Sequence, residues 1–246
     1  MATTPFRIAA TSDIHYDRNS AGKMRELFTK ASESADVLLI CGDLTDYGHA
    51  DEAKLLAEDV RRYARVPIFA VLGNHDFESG EPQIVREIVE GAGVKILDGE
   101  SCELGGVGFA GVCGFGGGFG PLMLNAWGEP IIKHFVQEAV DHALKLEQAL
   151  ARLHTEHRVV LLHYAPIRET VATEPLEIFP FLGSSRLEGP LNRFHVTMAF
   201  HGHAHNGVPE GRTMTGVPVY NVAVPVLAKI TGAPLFRIFE IPSGSA

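Results

Sequence analysis

The 246-residue sequence predicts an α/β fold with two mixed β-sheets that are stacked on each other and flanked by helices. Strand and helix patterns alternate in the first half of the chain, which is typical of β-α-β units that build a parallel sheet. Residues 95–114 then change to a hairpin pattern, and a long helix and four more strands follow. No linker or internal repeat interrupts the chain. We therefore expect residues 1–246 to form one domain.

Three strand–helix units are predicted before residue 95. Their strands are continuously apolar, as expected when both faces of a sheet are covered, and we place them at residues 7–12, 37–40 and 68–72. Their helices carry apolar side chains at helical spacing, and we place them at residues 23–35, 50–64 and 81–91. Pro82 is compatible with the first turn of the third helix.

The second half of the chain supplies the remaining strands. Short apolar stretches around the pair Gly105-Gly106 indicate antiparallel strands, which we place at residues 96–97, 102–104 and 107–112. The longest helix is predicted at residues 134–153, which are rich in Ala, Leu, Glu and Gln. The last four strands are predicted at residues 158–162, 196–200, 217–222 and 235–241.

Composition narrows the classes of function. The net charge of −9 argues against a dedicated nucleic-acid binder, although bound metals can supply the positive charge that a phosphate substrate needs. The three cysteines form no C-x-x-C pair, and the N-terminus shows no secretory pattern. No apolar run approaches the ~20 residues of a membrane span. We therefore expect a soluble, cytoplasmic protein with neither nucleic acid nor a membrane as a partner.

Five short clusters of potential metal ligands each follow a predicted strand. They are Asp13-Ile14-His15, Gly42-Asp43, Gly73-Asn74-His75-Asp76, His163 and Gly202-His203-Ala204-His205. Because ligands of open α/β sheets bind outside the carboxyl ends of the strands, we expect the clusters to converge there. Carboxylate, amide oxygen and neutral imidazole bind hard to borderline divalent cations, and no thiol accompanies them. The sequence therefore predicts a dinuclear metal site of the kind found in hydrolases.

The ordered set of clusters resembles the calcineurin-like metallophosphoesterase superfamily, and the resemblance extends from residue 13 to residue 205. It implies a four-layer α/β/β/α sandwich with a two-metal site at the strand ends. Position by position, it implies that the first metal is bound by Asp13, His15 and His205 and the second by Asn74, His163 and His203. Asp43 would bridge the two, since a carboxylate can offer one oxygen to each cation. Two divalent ions are thus implied, with Mn²⁺ expected first and Fe²⁺ or Zn²⁺ as alternatives.

The resemblance separates His75 from the metal ligands. It implies attack by a hydroxide that bridges the metals, so no protein nucleophile is required. His75 would face the leaving oxygen and stabilise or protonate it. Asp46 matches the family position that orients this histidine with a carboxylate, and Asp76 is the weaker candidate for that role.

Differences between this sequence and other branches of the superfamily narrow the expected activity. Serine/threonine phosphatases and diadenosine tetraphosphatases carry an arginine where this chain has Tyr47 and a glutamate where it has Asp76. Purple acid phosphatases carry a tyrosine ligand where this chain has Asp46. We therefore expect a member of the small bacterial cyclic-nucleotide-phosphodiesterase-like, or Icc-like, branch. Its expected activity is hydrolysis of phosphodiester or phosphomonoester bonds in small substrates, nucleotides among them.

Two other functions stay open at this point. A metal-dependent nuclease of the DNA-repair type shares the motifs, although the acidic balance speaks against it. A non-catalytic partner-binding scaffold would keep the fold, although here every expected ligand position is filled. The glycine-rich run 114–120 is either a loop that substrate approaches or a loop anchored by its two phenylalanines. Trp127 and the segment 179–181 could wall a pocket, and His201 falls outside the family pattern.

Overall fold

Residues 5–231 and 235–242 are described by a computed structural model of the chain. The strands within these residues are β1 (Phe6–Thr11), β2 (Val37–Cys41), β3 (Ile68–Val71), β4 (Val94–Ile96), β5 (Glu100–Leu104), β6 (Val107–Gly111), β7 (His157–Leu161), β8 (Met198–His201), β9 (Glu210–Arg212), β10 (Pro218–Asn221) and β11 (Arg237–Ile241). The α-helices are α1 (Arg25–Ser34), α2 (Ala50–Tyr63), α3 (Pro82–Glu90), α4 (Pro130–Ala151), α5 (Phe179–Leu182), α6 (Glu188–Arg193) and α7 (Val224–Thr231).

The strands form two mixed sheets, as predicted. The first is five-stranded in the order β11-β1-β2-β3-β4, with β1 to β4 parallel and β11 antiparallel to β1. The second is six-stranded in the order β5-β6-β7-β8-β10-β9. Its four central strands are parallel, and each edge strand pairs antiparallel with its neighbour. The parallel strands of each sheet direct their carboxyl ends, and hence the loops that follow them, to the same edge of that sheet.

Side chains of the first sheet alternate between two buried faces. On β2, Leu38 and Ile40 pack with Phe28 of α1 and Leu56 of α2 on the outer face of the sheet. Leu39, between them, belongs to the core that separates the two sheets. Because both faces are covered, the strand shows an unbroken apolar run instead of polar–apolar alternation.

The second sheet completes the sandwich. Phe109 of β6 and Phe200 of β8 contribute to the core shared with the first sheet. On the opposite face, Val160 of β7 packs with Leu146 of α4 and Leu191 of α6. The chain is therefore a four-layer α/β/β/α sandwich, which confirms the predicted fold class.

Some elements differ from the prediction. The stretch predicted as a hairpin strand at residues 96–97 is β4, which lies parallel to β3 and pairs Ile68 with Val94. A short apolar pair before a turn looks the same in either arrangement, and helix α3 brings the chain back in the parallel direction. Helix α4 begins at Pro130, four residues before its predicted start, with the proline in the first turn. The prediction omitted β9 and helices α5, α6 and α7. Strands β5 and β6 do form the predicted hairpin.

Among the described residues, no helix combines the length and the apolar composition needed to cross a membrane.

Candidate metal centre

The loops that carry the five ligand clusters have an unusual backbone. Asp13, His15, Asp43 and His203 all have positive φ, between 42° and 66°. Among the described residues only one other non-glycine residue, His195, shares this conformation. A left-handed backbone at a non-glycine residue costs about 1–3 kcal/mol and persists where the surrounding structure imposes it, most often at functional sites. The strain in this fold is thus concentrated at predicted ligands.

The glycines that precede the ligands keep space for them. A Cβ atom on Gly42 would collide with the ring of His163, and one on Gly73 would collide with the carboxylate of Asp43. A Cβ atom on Gly202 would collide with Ser12 and with the carboxylate of Asp13. The Gly-Asp, Gly-Asn and Gly-His pairs in the sequence therefore reflect close approach between neighbouring loops.

A first group of donor atoms brings together Asp13, His15, Asp43 and His205, whose ligand atoms lie within 4.8 Å of one another. His205 Nε2 is 2.9 Å from Asp13 Oδ1, and His15 Nε2 is 3.8 Å from Asp43 Oδ2. The backbone N–H of His203 donates to both carboxylate oxygens of Asp13 at 3.1 Å, which fixes this carboxylate. The group offers two carboxylates and two imidazoles to one position.

A second group brings together Asp43, His163 and His203. His163 Nδ1 donates to the carbonyl oxygen of Cys41 at 3.0 Å, so its Nε2 carries the lone pair in the neutral ring. This Nε2 lies 2.8 Å from Asn74 Oδ1 and 3.4 Å from Asp43 Oδ1. A lone pair facing two oxygens in a buried place is repulsive unless a cation lies among them. The donor set therefore fits a divalent metal.

His203 also has a ring nitrogen whose lone pair is available to a metal. Its Nε2 is 3.0 Å from the carbonyl oxygen of Phe181, to which only an N–H can donate, so Nδ1 carries the lone pair. Burial lowers the pKa of His203 to about 3, because a buried imidazolium is poorly solvated. Burial likewise lowers the pKa of His15, although Asp13 opposes the shift. Both rings are thus held in the neutral form that binds metals.

Asp43 belongs to both groups of ligand atoms. Burial raises the pKa of Asp43 to about 6, and the nearby carboxylates of Asp13 and Asp76 add to this, while His163 opposes it. For Asp13, burial also favours the neutral acid, but the hydrogen bond from His205 and the electrostatic effect of the neighbouring histidines hold its pKa well below the usual range. Two carboxylates buried side by side are a costly arrangement that a cation relieves.

His75 lies beside the ligands and has different partners. Its ring centroid is 4.5 Å from that of His15, and its backbone N–H donates to Asp43 Oδ1 at 2.9 Å. Its Nδ1 lies 2.6 Å from the backbone carbonyl oxygen of Asp46. Burial disfavours the charged ring, but this hydrogen bond and the carboxylates of Asp43 and Glu78 raise the pKa of His75 overall. His75 thus retains a proton more readily than His15 or His203.

Asp46 contacts the ring of His75 through its backbone carbonyl oxygen. Its carboxylate, through which the resemblance implied the contact, has an oxygen within 4.8 Å of a ring nitrogen of His75, and its charge helps to raise the pKa of His75. The same carboxylate lies beside His15, with Oδ1 3.3 Å from His15 Nδ1. Backbone geometry places it there, since Asp46 N donates to the carbonyl oxygen of Tyr16 at 3.0 Å and so ties the two loops together. A motif in the sequence gives the position of a residue but not which of its oxygens is used.

Asp76 has a structural function that the sequence did not suggest. It is fully buried and accepts hydrogen bonds from the backbone N–H groups of Leu44, Thr45 and Gly73 and from the Thr45 hydroxyl. These bonds join the loop that carries Asp43 to the loop that carries Asn74 and His75. Because Asp76 faces away from His75 into this network, it does not act as the orienting carboxylate.

Replacing Asp76 with Ala should therefore lower the free energy of unfolding by about 3 kcal/mol or more. An unpaired buried donor costs about 1–3 kcal/mol, and the three backbone N–H groups of Leu44, Thr45 and Gly73 would lose their acceptor. Asp76→Asn keeps one acceptor oxygen and nearly the same shape, and it should lose less. Urea unfolding of both variants measures the difference. Equal unfolding midpoints for wild type and Asp76→Ala would show that the network does not stabilise the fold.

Other residues singled out in the sequence lie around the centre. His201 is buried, with Nδ1 2.8 Å from the Gly202 carbonyl oxygen and Nε2 2.8 Å from the Thr170 hydroxyl, so both of its nitrogens are used within the structure.

The glycine-rich run 114–120 is held by hydrogen bonds to the segment 180–185 and by ring contacts of Phe115 and Phe119. Trp127 is 65% exposed.

The family model for calcineurin-like phosphoesterases matches residues 6–207 of this chain. Among curated protein sequences, none matches it significantly. Of the solved structures, a phosphopantetheinyl hydrolase from Mycobacterium tuberculosis is 14% identical, with a TM-score of 0.70 and 96% coverage of each chain.

Two further solved structures share the fold. A proposed 5′-nucleotidase from Staphylococcus aureus is 17% identical with a TM-score of 0.55, and the match covers 89% of this chain and 48% of that one. The GAP50 anchor of the Plasmodium inner membrane complex is 16% identical with a TM-score of 0.55, covering 91% of this chain and 73% of that one. At these identities the likeness shows the fold alone.

Proposed function

Because the chain belongs to the calcineurin-like phosphoesterase family and is a metal-dependent phosphoester hydrolase, we propose that it hydrolyses small phosphodiesters or phosphomonoesters, nucleotides among them, with two divalent cations. The observation that carries the proposal is the position of Asp43 in both groups of ligand atoms. One carboxylate shared between two such groups supports a dinuclear site better than a mononuclear one.

In this proposal each cation has three ligands of its own and shares the fourth. Asp13, His15 and His205 would hold the first, Asn74, His163 and His203 would hold the second, and Asp43 would contribute to both. When bound, the cations would supply Lewis acidity to a phosphoryl group and lower the pKa of a water. Mn²⁺ is the proposed occupant, with Fe²⁺ and Zn²⁺ as alternatives, because the ligands mix nitrogen and oxygen and include no thiolate.

The catalytic residue of the protein itself is His75. Its Nδ1–H is held by the Asp46 carbonyl oxygen, so its Nε2 is the nitrogen left for substrate. With a raised pKa, the ring can carry the proton that a departing alkoxide needs. Asp46 is a positioning residue, since it fixes the ring of His75 through its backbone oxygen.

Charge and packing support the rest of the proposal. A net charge of −9 favours a small substrate over a nucleic acid, which usually binds to a basic face. The two sheets share one apolar core, which supports a single domain.

A comparison of two chromogenic substrates tests the proposal. Metal-free protein supplied with Mn²⁺ should hydrolyse bis-p-nitrophenyl phosphate, p-nitrophenyl phosphate or both, and the ratio of the two kcat/KM values assigns the diester or monoester preference. Protein supplied with EDTA serves as the control. Failure to cleave either ester with Mn²⁺, Fe²⁺ or Zn²⁺ would contradict the proposal and favour a non-catalytic scaffold.

Metal binding should also stabilise the fold, because the ligands lie on loops that follow strands of both sheets. At about 100 times its dissociation constant, a ligand of the native state contributes about 2.7 kcal/mol. For a chain of this size that corresponds to a rise in Tm of roughly 5–11 °C. Thermal unfolding with and without Mn²⁺ measures the shift, and EDTA should reverse it. A Tm that none of the three candidate metals changes would argue against a metal centre that spans both sheets.

A further inference from the structure

A cavity of about 540 Å³ opens next to the metal centre. Asn74, a proposed metal ligand, forms part of its wall. Tyr164 forms another part, and its ring lies 4.5 Å from the ring of His203 and 5.5 Å from that of His163, measured between centroids. The cavity therefore adjoins the proposed metal centre. Its volume lies within the range of sites that enclose drug-sized molecules.

The walls of this cavity are mainly apolar and aromatic. Phe115 packs against Phe135 with ring centroids 4.8 Å apart and against Tyr164 at 5.9 Å. Phe77 and Ile131 add apolar surface, and both are exposed, at 46% and 72%. Such walls bind a group with aromatic or aliphatic surface better than a polyhydroxylated one, because burial of apolar area contributes about 25 cal/mol per Å².

The polar groups of the cavity carry no fixed positive charge, since neither lysine nor arginine is among its lining residues. The backbone N–H of Gly114 donates to His142 Nδ1 at 3.3 Å, so His142 Nε2 carries the ring proton and lies 3.3 Å from Glu138 Oε1. Burial lowers the pKa of His142, which keeps this ring neutral. Glu138 is thus a negative charge in the wall whose second oxygen is free to accept an N–H or O–H from a ligand.

Tyr164 offers a further polar contact. Among the residues that the structure describes, none forms a hydrogen bond with its hydroxyl. A phenol carries an O–H, so this side chain can donate to a ligand as well as accept from it. A ligand in the cavity therefore meets a donor near the metal centre and a carboxylate acceptor on helix α4.

We propose that this cavity holds the organic group of the substrate, and that the substrate is a phosphoester of a neutral alcohol with a largely apolar or aromatic body. This inference rests on the proposed function. A second phosphate or a carboxylate on the organic group is disfavoured, because within the cavity it would meet Glu138, and neither lysine nor arginine lines the cavity to compensate its charge. Esters of polyhydroxylated alcohols are disfavoured, since the aromatic walls leave their hydroxyls without partners.

Charge reversal at the cavity tests the inference. The Glu138 side chain is 55% exposed, so Glu138→Lys should fold. The measured quantity is kcat/KM for 4-carboxyphenyl phosphate divided by kcat/KM for phenyl phosphate. We expect the ratio to be below one in the wild type and to rise at least tenfold in Glu138→Lys. Asp141→Lys makes the same change of charge on the same helix outside the cavity, and there the ratio should change less than twofold. An equal ratio in Glu138→Lys and Asp141→Lys would overturn the inference.

A binding measurement separates this inference from the proposed function. Saturation-transfer NMR should detect 2-naphthol, a neutral aromatic alcohol, on metal-free wild-type protein. Phe135→Ala removes an aromatic wall that is not a proposed ligand and should weaken this binding at least fivefold. That result supports the cavity even in protein that shows no hydrolysis, so a failure of the proposed function would be recognised separately. Binding of 2-naphthol that is equal in wild type and Phe135→Ala would overturn the assignment of the cavity.

Discussion

Asp43→Asn should lower metal content and abolish most of the activity. Asp43 Oδ2 lies 3.8 Å from His15 Nε2 and Oδ1 lies 3.4 Å from His163 Nε2, so the two oxygens of this carboxylate face different groups. An amide offers only one oxygen and no charge. Loss of a residue that merely supports a ligand costs about 10–100-fold in metal affinity, and loss of a shared ligand should cost more. We therefore expect kcat/KM to fall by at least about 100-fold.

The measurement is metal per chain by plasma mass spectrometry, together with the rate at saturating Mn²⁺. Asp141→Asn, an exposed aspartate on helix α4, is the matched control and should retain both metal and rate. Asp43→Asn should fold, because Asn has the same shape and can still accept the hydrogen bond from the His75 N–H. An Asp43→Asn protein with full metal content and full rate would refute the bridging role.

His75→Ala should slow turnover by about 100-fold while both metals stay bound. General acid catalysis contributes about 10²–10⁴-fold, and His75 is not among the seven proposed ligands. The loss should depend on the leaving group. 4-Nitrophenolate is a weak base and leaves without much help from a proton. An alkoxide or an unsubstituted phenolate is more basic and needs to be protonated as it leaves. The variant should therefore lose more activity on phenyl phosphate than on p-nitrophenyl phosphate.

His154→Ala, an exposed histidine after helix α4, is the control for this experiment. The alkaline decline in rate that a titrating general acid imposes should also disappear in His75→Ala, since the acid is active only below its pKa. If His75→Ala instead strips a metal, the residue is a ligand and its catalytic role is wrong. An equal loss on both esters would likewise exclude a role as proton donor.

The sequence predicted the layered fold because both faces of its central strands are covered, which leaves unbroken apolar runs such as 37–41. It could not place β4. Residues 94–96 lie between a helix and a hairpin, and their partner, β3, is decided by tertiary packing. Strand β9 (Glu210–Arg212) is short and largely exposed, so it lacks the run of apolar residues by which a strand is predicted.

The sequence also predicted which side chains come together, because the clusters follow strands whose carboxyl ends share an edge. It did not reveal the partners that hold them. The carbonyl oxygens of Cys41 and Phe181, which fix the tautomers of His163 and His203, belong to the backbone and leave no mark in the residue types. The hydrogen-bond network around Asp76 could not be predicted either. An aspartate next to a histidine in the sequence is as compatible with a catalytic role as with a structural one.

The central claim is that two cations bind at these seven residues with Asp43 between them. Anomalous diffraction at the manganese absorption edge, from crystals of Mn²⁺-loaded protein, tests it most directly. We predict two peaks, one beside Asp13, His15 and His205 and one beside Asn74, His163 and His203, with the Asp43 carboxylate between them. A single peak, or peaks away from these side chains, would contradict the account.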